Sequence, residues 1–96
     1  MIDFRSEWCA PCQELEEKTF SDAEVIRLLA TRAVTLRLDV TEVTDAHEAL
    51  MQKYRVQTLP AVIFLDPAGN ERGRIIDYAK PAQFLARARE LLGPAT

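Results

Sequence analysis

Residues 61 to 65, Ala-Val-Ile-Phe-Leu, form the longest uninterrupted apolar run of the chain. Its length suits a strand and falls far short of the roughly 18 to 20 apolar residues that a membrane span requires. No polar residue alternates through it to mark a face for water, so such a strand needs cover on both sides. The chain must therefore supply layers above and below a sheet. Immediately after the run, DPAGN at 66 to 70 has turn chemistry, and the segment 74 to 78 can return as the second arm of a hairpin.

Period and punctuation place the other elements. Residues 1 to 5 read as a short apolar strand. Residues 10 to 18 read as a helix that tolerates Pro11, because a first-turn N–H has no intrahelical partner to lose. Ser21 with Glu24 fits a capping box ahead of Val25, Ile26, Leu28 and Leu29, which predicts a helix to about Thr31. Val34, Leu36, Leu38 and Val40 alternate with Thr35, Arg37 and Asp39, the period of a half-wet strand or a sheet edge. Asp45 with Glu48 predicts a further helix carrying Ala49, Leu50 and Tyr54. Pro81 opens a last helix with Phe84, Leu85, Ala88, Leu91 and Leu92 inward, closed by Gly93. The order β-α-(α)-β-α-β-β-α predicts a four-stranded mixed sheet flanked by helices on both faces, an α/β class. Strand 1–5 should lie inside it, with 34–40 at one edge and 74–78 at the other.

Composition narrows the function classes. Ninety-six residues with 48% hydrophobic and 28% charged content suit one globular domain, 1–96, with no repeat or linker. A net charge of −3, with the twelve Lys and Arg scattered, argues against a nucleic-acid surface. No Gly-rich phosphate loop occurs, and nothing calls for flavin or nucleotide. MIDFRSEW lacks the charged and apolar regions of a secretory signal. Because Met1 opens directly on a strand-like segment, the chain reads as a domain excised from a longer parent.

The chemistry-bearing stretch is EWCAPCQELEE, residues 7 to 17, which holds both cysteines of the chain. Structural zinc needs four ligands, and Cys9, Cys12 and the lone His47 cannot close a tetrahedron, so no metal is expected. A structural disulfide at this spacing would close too small a loop to remove much entropy from the unfolded chain. Redox exchange uses the same residues more fully. At a helix N-terminus, unpaired N–H groups favour thiolate over thiol, and comparable thiols fall from about 8.5 to between roughly 3.5 and 7.5. Cys9 is then the exposed nucleophile, and Cys12, one turn in and shielded, is the resolving thiol.

DFRSEWCAPC, residues 3 to 12, resembles the active-site segment of thioredoxins, and the element order matches their fold, less its first strand and helix. WCAPCQELEEKTFSDAEV and DVTEVTDAHEALMQKYRVQTLPAVIFLDPAGNE are similar to the C-terminal thioredoxin-like domain of the DsbD family of thiol:disulfide interchange proteins, over most of residues 2 to 78. The resemblance puts Cys9 and Cys12 on the redox pair, Trp8 and Pro11 beside it, and Pro60 on a cis-proline that faces the disulfide. It implies that the backbone at Leu59 pairs with an extended substrate segment, a form of strand addition. Asp3 matches a buried acid beneath the resolving cysteine, and Glu16 a second acid particular to the DsbD domain. Burial would raise the pKa of either acid and let it exchange a proton with Cys12. Ala10-Pro11 is closer to the Gly-Pro of thioredoxins than to the dipeptides common in the DsbD domain.

The resemblance implies a protein-disulfide reductase with no cofactor beyond the Cys9–Cys12 disulfide. Its partners would be protein thiols and disulfides, with an upstream dithiol donor in a membrane domain of the same parent. It also implies a monomer, a place on the periplasmic face of the inner membrane, and a part in cytochrome c biogenesis. The alternatives are a general cytosolic thioredoxin fed by a flavin reductase, and a non-catalytic peptide-binding module with idle cysteines. Each site residue also has a plain reading: Trp8 as packing, Glu16 as one of several solvated helix carboxylates, Pro60 as an ordinary trans turn residue, and His47 as merely exposed.

Overall fold

A computed structural model describes residues 1–93. Its elements are β1 (Ile2–Arg5), α1 (Ala10–Glu14) running on into a π-helical segment (Leu15–Thr19), α2 (Ala23–Arg32), β2 (Leu36–Asp39), α3 (Asp45–Lys53), β3 (Ala61–Leu65), β4 (Glu71–Ile76) and α4 (Pro81–Leu92). The sheet order is β2-β1-β3-β4, with β1 parallel to β2 and antiparallel to β3, and β3 antiparallel to β4. This is the expected four-stranded mixed sheet, with β1 inside and β2 and β4 at its edges.

The strand 61–65 behaves as its composition requires. Val62 and Phe64 point into one core with Leu15, Val25, Ile75, Phe84, Leu85, Ala88 and Leu91. Ala61 and Ile63 point into a second with Phe4, Val40 and Val56, which Leu50, Met51 and Tyr54 help to cover. The first core lies under the π segment, α2 and α4, and the second under α3. Phe84 sits at the centre of the first, fully buried, edge-on to Phe20 at 5.3 Å and tilted against Phe64 at 6.3 Å.

Several local expectations shift. The helix foreseen over 10–18 is α-helical only to Glu14 and then widens into the π segment. Asp22, not Ser21, caps α2, its Oδ1 accepting from the N–H groups of Glu24 and Val25, while the Ser21 hydroxyl turns back to the Glu17 carbonyl. Asp22 wins because its carboxylate reaches two first-turn donors at once. Thr44, not Asp45, caps α3, accepting from the His47 N–H at 3.1 Å. His47 is half-buried rather than free, and its Nδ1 lies 2.8 Å from the Glu42 carbonyl. The returning hairpin arm begins at Glu71 rather than 74, because pairing with β3 starts directly after the turn, with Arg72 as the extra residue of a bulge. In the edge strand Val34 and Leu36 are exposed, at 90% and 56%. The ladder with β1 begins only at Ile2↔Leu36, so only the later part of that face, Leu38 and Val40, reaches the core.

Phe84→Ala should destabilise the fold by about 3–5 kcal/mol, since it empties the centre of the larger core. The urea unfolding midpoint checks this, and a loss under about 1 kcal/mol would contradict the packing described.

Candidate active site

The chain leaves β1 at Arg5 and reaches Cys9 four residues later. Cys9 caps α1 from an extended conformation, and Pro11 lies in the first turn, where its missing N–H costs nothing. The two cysteines are joined as a disulfide, and the Cys12 N–H donates to Cys9 Sγ at 3.2 Å. A donor held on that sulfur favours negative charge there after reduction. Cys12 is 1% exposed, and among the described residues no donor is found on its sulfur. In this oxidised form Cys9 is also largely covered, at 5%, rather than openly exposed. Trp8 beside it is 69% exposed, so its ring is free for contact rather than spent on packing.

The other side of the site comes from the start of β3. The Leu59–Pro60 peptide is cis, as the resemblance implied. Phe4 pairs with Ala61, the last pair of the β1–β3 ladder, so the antiparallel register directs the chain after Phe4 toward the segment that precedes Ala61. The loop before Cys9 and the cis-proline therefore share one end of the sheet. Pro60 is fully buried and Leu59 half-buried.

Beneath α1 lies a row of charges. Alternate residues of β1 point opposite ways: Ile2 and Phe4 toward the α3 side, Asp3 and Arg5 toward the redox helix. Asp3 is 5% exposed, and its Oδ1, like the Ser6 hydroxyl, finds no hydrogen-bond partner among the described residues. Its pKa is raised to about 6, first by burial and then by the charge of Glu16, against the opposing pull of Arg37 and Arg5. Glu16 departs from its expectation. Burial alone would raise its pKa, but hydrogen bonds from Arg5 and Arg37 outweigh this and hold it below the usual range. Arg5 grips Glu16 with two bonds, Nε to Oε1 at 3.1 Å and Nη2 to Oε2 at 2.9 Å, and Arg37 adds two more, at 3.0 and 2.7 Å. Near neutral pH Glu16 is thus an anion, and of the two acids only Asp3 titrates there.

Arg5 carries the part of the site that sequence reading missed. Its guanidinium, 6% exposed, also reaches Asp39 Oδ2 at 2.8 Å. The signal was present as a charged residue at a central strand position, next but one to the acid. Among the described residues, no group of three or more His, Cys, Asp or Glu gathers to hold a metal, and no helix is long and apolar enough to cross a membrane.

A family model described as a thioredoxin-like domain matches residues 1–92. The chain is 40% identical, over 88% of its length, to the thiol:disulfide interchange protein DsbD of Yersinia pestis (strain Pestoides F). It is 38% identical over 99% of its length to the DsbD of Ralstonia nicotianae. It spans only 14% and 16% of those two proteins. Among solved structures, the oxidised C-terminal domain of Neisseria meningitidis DsbD superposes with a TM-score of 0.84 at 25% identity, over 93% of this chain and 76% of that one. A Thermus thermophilus thioredoxin superposes at 0.79 with 33% identity, over 94% and 70%.

Asp3→Asn should stabilise the fold above pH 6 and cease to do so as pH falls toward 4. The reason is that the folded-state pKa of Asp3 is raised above its unfolded value, so burial is costly only while the group is ionised. The gain at pH 7 to 8 should be of order 2–3 kcal/mol. Urea midpoints of both proteins at pH 4 and 8 measure it, and a difference independent of pH would show that Asp3 is not the group titrating. The matched residues, the fold and the cysteine pair at the head of its helix together place this chain in the thioredoxin-like family.

Proposed function

We propose that the chain is a protein-disulfide reductase, the thiol:disulfide interchange domain of a DsbD-like parent, exchanging electrons with protein partners through Cys9 and Cys12. The observation that carries this reading is the asymmetry of the pair. One sulfur accepts an N–H donor beside an exposed tryptophan, and the other is sealed below it, on the side of a buried acid that titrates near neutrality.

The cycle starts from the reduced pair. The Cys9 thiolate attacks one sulfur of a partner disulfide, forming a mixed disulfide at Cys9 and releasing the other partner sulfur as a thiolate. Asp3, ionised above about pH 6, accepts the proton of the Cys12 thiol. The Cys12 thiolate then attacks Cys9 Sγ, the Cys9–Cys12 bond forms, the mixed disulfide breaks, and the second partner sulfur leaves. That leaving thiolate takes a proton, and Asp3 returns its own to solvent. Two electrons have passed to the partner, and an upstream dithiol restores the pair by the same steps reversed. Trp8, Pro11 and the Leu59–Pro60 backbone form the contact surface, with Leu59 pairing to an extended partner segment. Glu16, a fixed anion here, acts on Asp3 through its charge rather than by taking a proton. In a DsbD-like parent, the electron donor would be a membrane-embedded thiol pair, and the domain would face the periplasm and serve cytochrome c biogenesis.

Insulin reduction with a dithiol reductant tests the reading. Cys9→Ser should lose activity entirely, by at least about a thousandfold, since no other thiolate can start the exchange. Cys12→Ser should instead accumulate mixed disulfides visible on a non-reducing gel. Activity retained in Cys9→Ser would overturn the mechanism. Wild-type protein that binds peptides without turnover would point to the binding-module alternative.

A further inference from the structure

The hydrogen bonds around Arg5 run beyond the charge row to the backbone just before the nucleophile. Asp39, whose Oδ2 receives Arg5, takes two bonds on its Oδ1, from the Thr41 N–H at 2.8 Å and the Thr41 hydroxyl at 2.5 Å. With its proton committed to Asp39, the hydroxyl of Thr41 has a lone pair left, and it accepts the Glu7 N–H at 2.8 Å. The Glu7 carbonyl is held in turn by the Gln13 side-chain amide at 2.5 Å. Glu7 stands two residues ahead of Cys9, so the approach to the nucleophile is fixed at both its donor and its acceptor.

The other arm of the same guanidinium grips Glu16, which lies four residues after Cys12 and so on the same side of the helix. One buried arginine thus fixes both flanks of the redox pair, the loop before Cys9 through Asp39 and Thr41, and the helix after Cys12 through Glu16. None of these bonds involves a sulfur, so opening the disulfide breaks none of them directly.

We infer that Thr41 and Arg5 are positioning residues that hold the two sulfurs at closing distance in the reduced domain. This inference rests on the thiol:disulfide reading above. Two thiols held near each other form their disulfide with a high effective concentration, and loosening either flank spreads them over more separations. The disulfide then becomes easier to reduce, and the reduction potential less negative.

Thr41 is the residue to change, because removing Arg5 would strand two carboxylates and endanger the fold. Thr41→Val keeps the shape and loses both side-chain bonds, whereas Thr41→Ser keeps the hydroxyl. The equilibrium constant of the Cys9–Cys12 pair against glutathione, read by fluorescence of Trp8, the single tryptophan, is measured for the wild type and both variants, alongside urea midpoints. Thr41→Val should shift the constant by roughly three- to tenfold, about 15 to 30 mV less negative, and Thr41→Ser should stay within about twofold of wild type. Thr41→Val at the wild-type potential, with or without lost stability, overturns the inference, as does Thr41→Ser shifting as far as Thr41→Val. A wild type that equilibrates with glutathione yet never reduces insulin defeats the functional reading alone, because the three potentials still decide the role of Thr41.

Discussion

A guanidinium buried on a central strand cannot stand alone. Removing Arg5 from water costs several kcal/mol unless carboxylates meet it with good geometry, and two do so, one from the redox helix and one from the neighbouring strand. That requirement constrains where those elements lie. Glu16 has to sit over β1, which sets the roll of the helical run 10–19, and Asp39 has to sit beside Arg5, as the parallel register Arg5↔Asp39 places it. The cysteines inherit their positions from these neighbours.

Arg5 also sets the two acids of the site apart electrostatically. Asp3 and Glu16 are both partly withdrawn from water, yet one is raised toward neutrality and the other is lowered. The difference lies in donors: Glu16 accepts four bonds from Arg5 and Arg37, while Asp3 Oδ1 accepts none among the described residues. Pairs of carboxyl groups pushed apart in this way divide proton transfer from electrostatic support. Asp39, drawn down to about 2, first by the bonds of Thr41 and then by Arg5, stays an acceptor throughout the working pH range.

The sequence disclosed the layers and the cysteine pair because those depend on short-range patterns. The unbroken apolar run 61–65 demanded two covered faces, DPAGN demanded a hairpin, and Cys9-Ala-Pro-Cys12 had no partner ligands for a metal. What it withheld depends on competition or on pairing across the sheet. Ser21 and Asp22 are both good caps, and only geometry shows that the aspartate reaches two N–H groups. Glu16 was expected to carry a proton because the resemblance matched it to a second acid, while the arginines that lower its pKa come from β1 and β2, 11 residues before it and 21 after. Thr41 bears no mark at all in sequence, since a threonine after a strand is ordinary until its hydroxyl is seen between Asp39 and Glu7.

The π segment after α1 bears on how chains of this kind vary in length. Hydrogen bonds that close over five residues instead of four take up about one extra residue per turn. The run Leu15–Thr19 therefore absorbs a surplus residue between two fixed points, the sealed Cys12 and the Thr19 hydroxyl, which donates to the Ala79 carbonyl at 2.6 Å. A chain one residue shorter there would keep both points by closing an ordinary α-turn. The exposed positions Glu17 and Lys18 carry no inward packing and are the ones such a chain would omit. Beside the cysteine pair, the helix thus holds a place where the run can change by one residue while Cys12 and Thr19 keep their neighbours.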